Sequence, residues 1–315
     1  MPPANVPTDP HSVRDFVLWA EQRFQQARLY FGHGTDNARD EAAWLVASTM
    51  AIPFAELDAR AEYRLTSAEA DSIRSRVEAR VTTRKPLAYL LQEAWFAGLK
   101  FYVDERVIVP RSLIGDFLPE RFQPWVRPAQ VHRLLDLCTG SGCIAIAAAL
   151  AFPEAQVEAA DISSEALAVA RINVEAHGLD ARVTLIQSDL FSELQGRRYD
   201  LILTNPPYVE ARDMASLPTE YRHEPELALA SGPSGLDAII RILAVAADHL
   251  NPHGLLIAEV GNSCLPLQQR FPQVRFVWLT AASGDESVFL LGREELTRHA
   301  ARFRAAADSL AGPSR

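Results

Sequence analysis

The spacing of apolar positions changes twice along the chain. Between Ser12 and Ala27, Val13, Phe16, Val17, Ala20 and Phe24 recur three and four residues apart, the mark of one buried helical face. Ser12 stands where an N-cap belongs and Asp15 follows three residues later, a shortened capping box. After the loop "YFGHGTDN" a second helical pattern begins, capped by Asp36 or Asn37, with Ala42, Leu45, Val46 and Thr49 inward. A third starts at Thr66 or Ser67 and stops before Pro86, because proline turns the preceding residue away from helix. Residues 1–93 therefore predict a small helical domain behind a loose, proline-rich start.

At 94–110 the period shortens. Phe96, Leu99, Phe101 and Val103, then Val107, Ile108 and Val109, predict a pair of strands about Asp104-Glu105, a hairpin joint between domains. A short helical piece over 112–122 follows. From residue 133, strand-like runs (133–138, 156–162, 182–190, 199–205, 254–260) alternate with helical ones (143–152, 164–178, 236–250). Such alternation predicts an α/β domain over 111–295, its sheet mostly parallel and covered on both faces. "RFVWLT" and "SVFLLGR", separated by "AASGDE", predict a closing antiparallel hairpin. Residues 296–315 read as an Ala/Arg-rich tail, a terminal helix that frays.

Composition narrows the function. The 315 residues are 48% hydrophobic and carry a formal net charge of −9, which disfavours a phosphate backbone as main partner and suits a neutral small molecule or a basic protein. Cys138, Cys143 and Cys264 form no C-x-x-C pair and have no neighbouring His, so they read as reduced thiols of a cytoplasmic protein, with no zinc. The N-terminus lacks a basic-then-apolar signal, and the longest apolar run, "CIAIAAALAF", is too short to span a bilayer; no membrane is expected.

Candidate chemistry sits at strand ends. "LLDLCTGSGCIAI" ends a strand at Asp136 and opens a helix near Gly142, with Gly140 and Gly142 permitting a tight turn and close approach of a ligand. Asp161 ends the next strand about 20 residues on, where an acid takes both ribose hydroxyls. The loop also fits a dinucleotide pattern, or a plain tight turn. Asp136 tilts the balance, since its carboxylate attracts a ligand's ammonium group and repels a pyrophosphate; that favours S-adenosylmethionine. Asp189 in "QSDLF" can accept from the adenine amine, with Leu190 or Phe191 against the ring, or else cap a turn.

"YDLILTNPPY" stops a buried strand at Asn205. The Asn205 side-chain oxygen and the Pro206 carbonyl make two acceptors, and Pro206 and Pro207 stiffen them. Two fixed acceptors suit the two hydrogens of a planar NH2 group and hold its reluctant nitrogen on a line of attack. Tyr208 offers a ring to a flat substrate or to a sulfonium, or is a core tyrosine.

"DLCTGSG", "ADIS", "SDLF" and "NPPY" together resemble the S-adenosylmethionine-dependent glutamine methyltransferases of the HemK/PrmB kind, over about residues 12–295. "YFGHGTDNARDEA", "AWFAGLKFYVDERVIVPRS" and "YRHEPELALASG" are most similar to the PrmB branch, which acts on the third protein of the large ribosomal subunit. The resemblance implies a Rossmann-like class I methyltransferase fold with an N-terminal substrate-recognition domain. It implies a cofactor loop at Cys138, Thr139, Gly140, Ser141 and Gly142, a ribose acid at Asp161, and an adenine segment at Asp189 and Leu190. It places a glutamine clamp and catalytic residues at Asn205, Pro206, Pro207 and Tyr208. The implied partner is a basic ribosomal protein. Arg111 in "VPRS" matches the family, Asp116 stands where the family has glutamate, and His33 and the 222–226 cluster are left without assigned roles. Methylation of a release factor, or of a nucleic-acid adenine amine, is the alternative substrate class; a nicotinamide oxidoreductase and a cofactor-fold binding module are the readings from other classes.

Overall fold

A computed structural model describes residues 10–310. Most of the proline-rich start and the last five positions of the tail lie outside the described residues. The chain divides into two compact units. One holds the residues up to 94 with 103–105 and 218–223; the other holds 95–102, 106–217 and everything from 224 on.

The helical unit begins with α1 (Val13–Gln26), which buries the five residues its spacing predicts. Its capping box forms: Ser12 Oγ accepts from the Asp15 amide, and the Asp15 carboxylate accepts from the Ser12 amide at 3.1 Å. Helix α2 (Ala38–Thr49), capped by Asn37, is buried on nearly every side, Trp44 and Glu41 included. The expected single inner face was too narrow, because Ala42, Ala43 and Ala47 let neighbours approach from several directions. A second capping box, Thr66 with Glu69, starts α3 (Ser67–Thr83), and Arg84 ends it in a left-handed conformation before Pro86 and α4 (Leu87–Leu91).

The centre of this unit is polar. Arg80, wholly buried, donates to Glu41 at 2.7 Å and to the Tyr30 carbonyl at 3.0 Å. Glu220, equally buried, accepts from the Tyr30 amide at 3.0 Å and pairs with Arg84 at 2.7 Å. Buried charges persist only when paired and hydrogen-bonded. Residues 218–223 thus belong to the helical unit through Glu220, although Pro218 lies 127 positions beyond Leu91, where its last helix ends. His33 packs against Tyr221, ring centroids 4.6 Å apart, as a buried loop histidine.

The hairpin is displaced from its expected place. Strands β1 (Ala94–Phe96) and β2 (Leu99–Phe101) close around Ala97-Gly98, both at positive φ, the geometry of a two-residue primed turn. No strand forms over 103–109. That run looked paired because its valines alternate, but Val107 and Val109 bury their side chains outside any strand, and the Val109 amide donates to Glu224.

Beyond it, α5 (Ile114–Phe117) is a single turn, shorter than expected. The main sheet comprises β3 (Arg133–Leu137), β4 (Gln156–Asp161), β5 (Val183–Gln187), β6 (Tyr199–Thr204), β7 (Leu250–Glu259), β8 (Val277–Leu279) and β9 (Val288–Gly292). Their order is β5-β4-β3-β6-β7-β9-β8, parallel except for the β9 pairings. Helices α6 (Cys143–Ala151), α7 (Ser164–Ala176), α8 (Ala211–Met214), α9 (Asp237–Val245), α10 (Cys264–Arg270) and α11 (Arg293–Leu310) connect and end it.

Two cores result from the two-residue period of the strands. Leu134, Leu201, Leu203 and Ile257 face α6 and α7; Leu135, Leu137, Ile202, Leu256 and Ala258 face α9 and α11. Strand order reverses between β3 and β6, so their carboxyl ends diverge into a crevice. The C-terminal helix is not a frayed tail: α11 buries Leu296, Phe303 and Ala306 and packs along α9. Only three of its residues are apolar and buried, which is why the stretch read as solvated. Among the described residues no helix is long and apolar enough to cross a membrane.

Phe303 is fully buried with its ring edge on Phe271, centroids 5.0 Å apart. Phe303→Ala is expected to lower unfolding stability by about 3–5 kcal/mol in urea titration. A change below about 0.5 kcal/mol would mean α11 is not part of the core.

Candidate functional site at the strand-order reversal

The cradle starts from β3. Beyond Leu137 the chain turns through Cys138, at positive φ, and Thr139 to Gly142 before α6. Three buried groups hold this turn. Asp136 accepts from the Thr139 hydroxyl and, at 2.9 Å, from the Ala145 amide in the first turn of α6. Asn173 on α7 donates to the Ser141 carbonyl at 2.9 Å and exchanges bonds with the Tyr102 backbone. Gly142, at φ 81°, leaves space for Ala170 of α7, whose Cβ would lie 3.2 Å from an added Cβ.

The structure places Asp136 under the loop rather than in the cavity wall, where direct contact with a ligand was expected. It is wholly buried beneath the loop and is not among the cavity's walls; burial pushes its carboxyl up to about 7. The loop's own hydrogen bonds consume one of its oxygens, and the other, Oδ1, has no partner. Thr139, Ser141 and Gly142 likewise form the inner side of the turn, while Cys138 and Gly140 line the cavity. Burial also pushes the Cys143 thiol up to about 12, so it stays protonated.

Above the loop lies a cavity of about 280 Å³, walled by Gly140, Asp161, Ile162, Asp189, Leu190 and Asn205 among others. Asp161 is oriented by the amides of Gly140 and Ser163, each at 2.9 Å, and burial raises its carboxyl above the ordinary range. Asp189 pairs with Arg241 of α9 at 2.8 Å. Of the two candidate ring partners, Leu190 lines the cavity; Phe191 is buried against His249, centroids 4.5 Å apart, and is excluded.

Asn205 follows β6 directly. Its Oδ1 is buried and accepts no hydrogen bond from any described residue. Asn205 also lines a second, water-sized cavity of about 10 Å³ together with Ile108, Arg111, Pro206 and Tyr208. It thus stands in the wall of both spaces, while Pro207 lines only the larger. The Tyr208 ring lies over Gly261, where a Cβ would fall 2.4 Å from a ring carbon. The next residues join a short ladder: the Val209 amide donates to the Leu229 carbonyl at 2.8 Å, and the Ser231 amide to the Val209 carbonyl at 2.9 Å.

Sequence reasoning missed several of these groups. Glu259, at the end of β7, accepts from Ser112 Oγ at 2.6 Å and from the Leu113 amide at 2.9 Å, and Asp116 accepts from the Ala282 amide at 3.1 Å. Glu224 is buried, whereas Arg222 and Glu226 are exposed, so the "RHEPE" cluster is not one solvated patch. A strand-end acid in "LLIAEV" was a usable signal for Glu259; nothing local announced Arg241 or Asn173.

A doubly wound sheet in this order, with its cavity at the reversal and Asn-Pro-Pro-Tyr beside it, has the class I methyltransferase fold. Residues 118–221 match the methyltransferase small domain, and residues 15–91 the PrmC N-terminal domain. A ribosomal protein uL3 glutamine methyltransferase of Burkholderia pseudomallei (strain K96243) is 49% identical over 298 residues, covering 92% of this chain and 97% of its own. That of Neisseria meningitidis serogroup B (strain ATCC BAA-335 / MC58) is 49% identical over 286 residues, covering 90% and 94%. The chain belongs to the ribosomal protein uL3 glutamine methyltransferase family.

The buried Asp136 carries a pH signature. A carboxyl whose folded pKa lies above its unfolded value of 3.8 favours the fold below that value, and the benefit is lost as pH rises through about 7. Asp136→Asn is expected to gain stability relative to the parent between pH 4 and 8, by the order of a few kcal/mol, in parallel thermal melts. A constant difference across that range would place the carboxyl's pKa near its ordinary value. Gly261→Ala is expected to displace the Tyr208 ring and cut methyl transfer at least roughly tenfold while the fold survives; an unchanged rate with a shifted ring would show that the ring's position is immaterial.

Proposed function

We propose that this protein methylates the side-chain amide nitrogen of a glutamine in ribosomal protein uL3, with S-adenosylmethionine as methyl donor. One observation carries the reading: a buried, unpartnered amide oxygen, Asn205 Oδ1, in the shared wall of a ligand-sized cavity and a water-sized one. An unsatisfied buried acceptor costs about 1–3 kcal/mol, and a bound N–H donor removes that cost.

The lining fits the cofactor by chemistry. Asp161 has lone pairs left for ribose hydroxyls after binding two amides. Asp189 accepts from an adenine amine, and Ile162 and Leu190 give apolar walls to a flat ring. When bound, S-adenosylmethionine supplies an electrophilic methyl group on its sulfonium.

The protein's part is orientation. Asn205 Oδ1 and the Pro206 carbonyl accept the two amide hydrogens, and their bonds improve as the nitrogen becomes pyramidal, which favours the transition state. Tyr208 supplies a flat wall. No side chain lining the small cavity accepts a proton at neutral pH, Arg111 being a donor only; the product amide, cationic and strongly acidic, loses its proton to water. The helical unit is assigned to recognition of uL3, and the reaction to the cytoplasm. The relatives' names support uL3 over a release factor, and the net charge of −9 weighs against a nucleic-acid substrate.

The test is transfer of labelled methyl to purified uL3. Asn205→Ala is expected to lower turnover by roughly 10²–10³-fold, with affinity for S-adenosylhomocysteine by calorimetry nearly unchanged. Label on adenine, or equal loss of binding and turnover, overturns the proposal.

A further inference from the structure

The larger cavity is partly enclosed by two segments of the same unit, Arg106 to Ile108 and Pro225 to Gly232. Between them runs one buried connection. The Glu224 carboxylate, whose side chain has 0% exposure, receives Arg111 at 2.5 and 2.7 Å in a two-pronged pair and the Val109 amide at 3.0 Å. Arg111 also donates to the Val109 carbonyl at 3.0 Å. A planar guanidinium held at both prongs has one orientation, which a lysine cannot reproduce.

The segment that Glu224 begins bonds to the residues that directly follow the clamp. Leu229, Ser231 and Gly232 bond to Val209 and Ala211, so the residues next to Tyr208 are fixed to it rather than to the main sheet. Arg111 itself lines the small cavity with Asn205, Pro206 and Tyr208. A line of bonds therefore runs from Val109 and Arg111 through Glu224 to the ladder and the clamp.

From this connection we infer that Glu224 and Arg111 are positioning residues for the Asn205–Tyr208 clamp: they set the width of the small cavity and so the approach of the substrate amide. The inference rests on the glutamine-methylation reading for its kinetic consequence, but its structural half does not. Misplacement of a reacting group by about 1 Å costs roughly 100-fold in rate, so the effect belongs in turnover, not in cofactor affinity.

Two measurements on the full-length protein test it. Amide hydrogen exchange without substrate compares the parent with Glu224→Gln and Arg111→Lys. Both variants are expected to exchange at least roughly tenfold faster at Val109, Val209, Ala211 and Ser231, with the sheet amides of β3 and β6 unchanged. Steady-state kinetics with uL3 are then expected to show kcat down roughly 100-fold, KM and the affinity for S-adenosylhomocysteine within about threefold, and a double variant no worse than either single one. Unchanged exchange at the ladder overturns the inference whatever the substrate is. Faster exchange with an unaltered kcat, or kcat losses that merely follow a fall in the fraction folded, overturns it as well. Absence of methyl transfer by the parent protein would defeat the functional proposal instead, and the exchange result would still decide the structural one.

Discussion

The site depends on the pairing of β3 with β6. These strands are neighbours in space but far apart in sequence, and between them the chain has gone out to β4 and β5 and returned. Their register sets Leu137 against Thr204, and the Thr204 hydroxyl reinforces it by donating to the Leu137 carbonyl at 2.8 Å. The glycine turn and the Asn205 clamp follow directly from those two residues. A slip of one position would exchange the faces of β6, sending Leu201 and Leu203 to the wrong core. Because both faces are buried, the hydrophobic cores themselves hold the cradle and the clamp in line.

Around that line the molecule tolerates unsatisfied acceptors. Asn205 Oδ1 and Asp136 Oδ1 are both buried without a partner among the described residues. They differ in meaning. Asp136 lies under the loop, where protonation relieves it; Asn205, a residue that lines both cavities, carries a neutral amide that has no such recourse. Of the larger cavity's charged lining, Asp161 is held by backbone amides and Asp189 by Arg241.

Much of this was legible in the chain because it is local. The inner face of α1, the N-caps of α1, α2 and α3 and the alternation of strands and helices follow from periods and capping chemistry within a few residues. What failed needed distant partners. The hairpin was misplaced because two apolar runs compete for the same signal, and the Ala97-Gly98 turn decides between them. The charge of Asp136 was visible in the sequence, and its burial under the loop was not. Phe191 and Leu190 are adjacent, and only the positive φ of Leu190 and the stacking of Phe191 on His249 separate wall from core. Glu224 was left without a role, since its partner Arg111 lies more than a hundred residues away.

The hexapeptide 218–223 has a consequence for any attempt to rebuild this protein. Because Glu220 completes the charge balance of Arg80 and Arg84, the helical unit is not a contiguous N-terminal module. Cutting the chain near residue 94 would leave Arg80 to Glu41, take the ion pair from Arg84 and release a carboxylate from its socket. Chimaeras that exchange only the first ninety-odd positions between relatives would inherit mismatched halves of one buried ionic lock, and only transplants carrying both pieces would keep it whole.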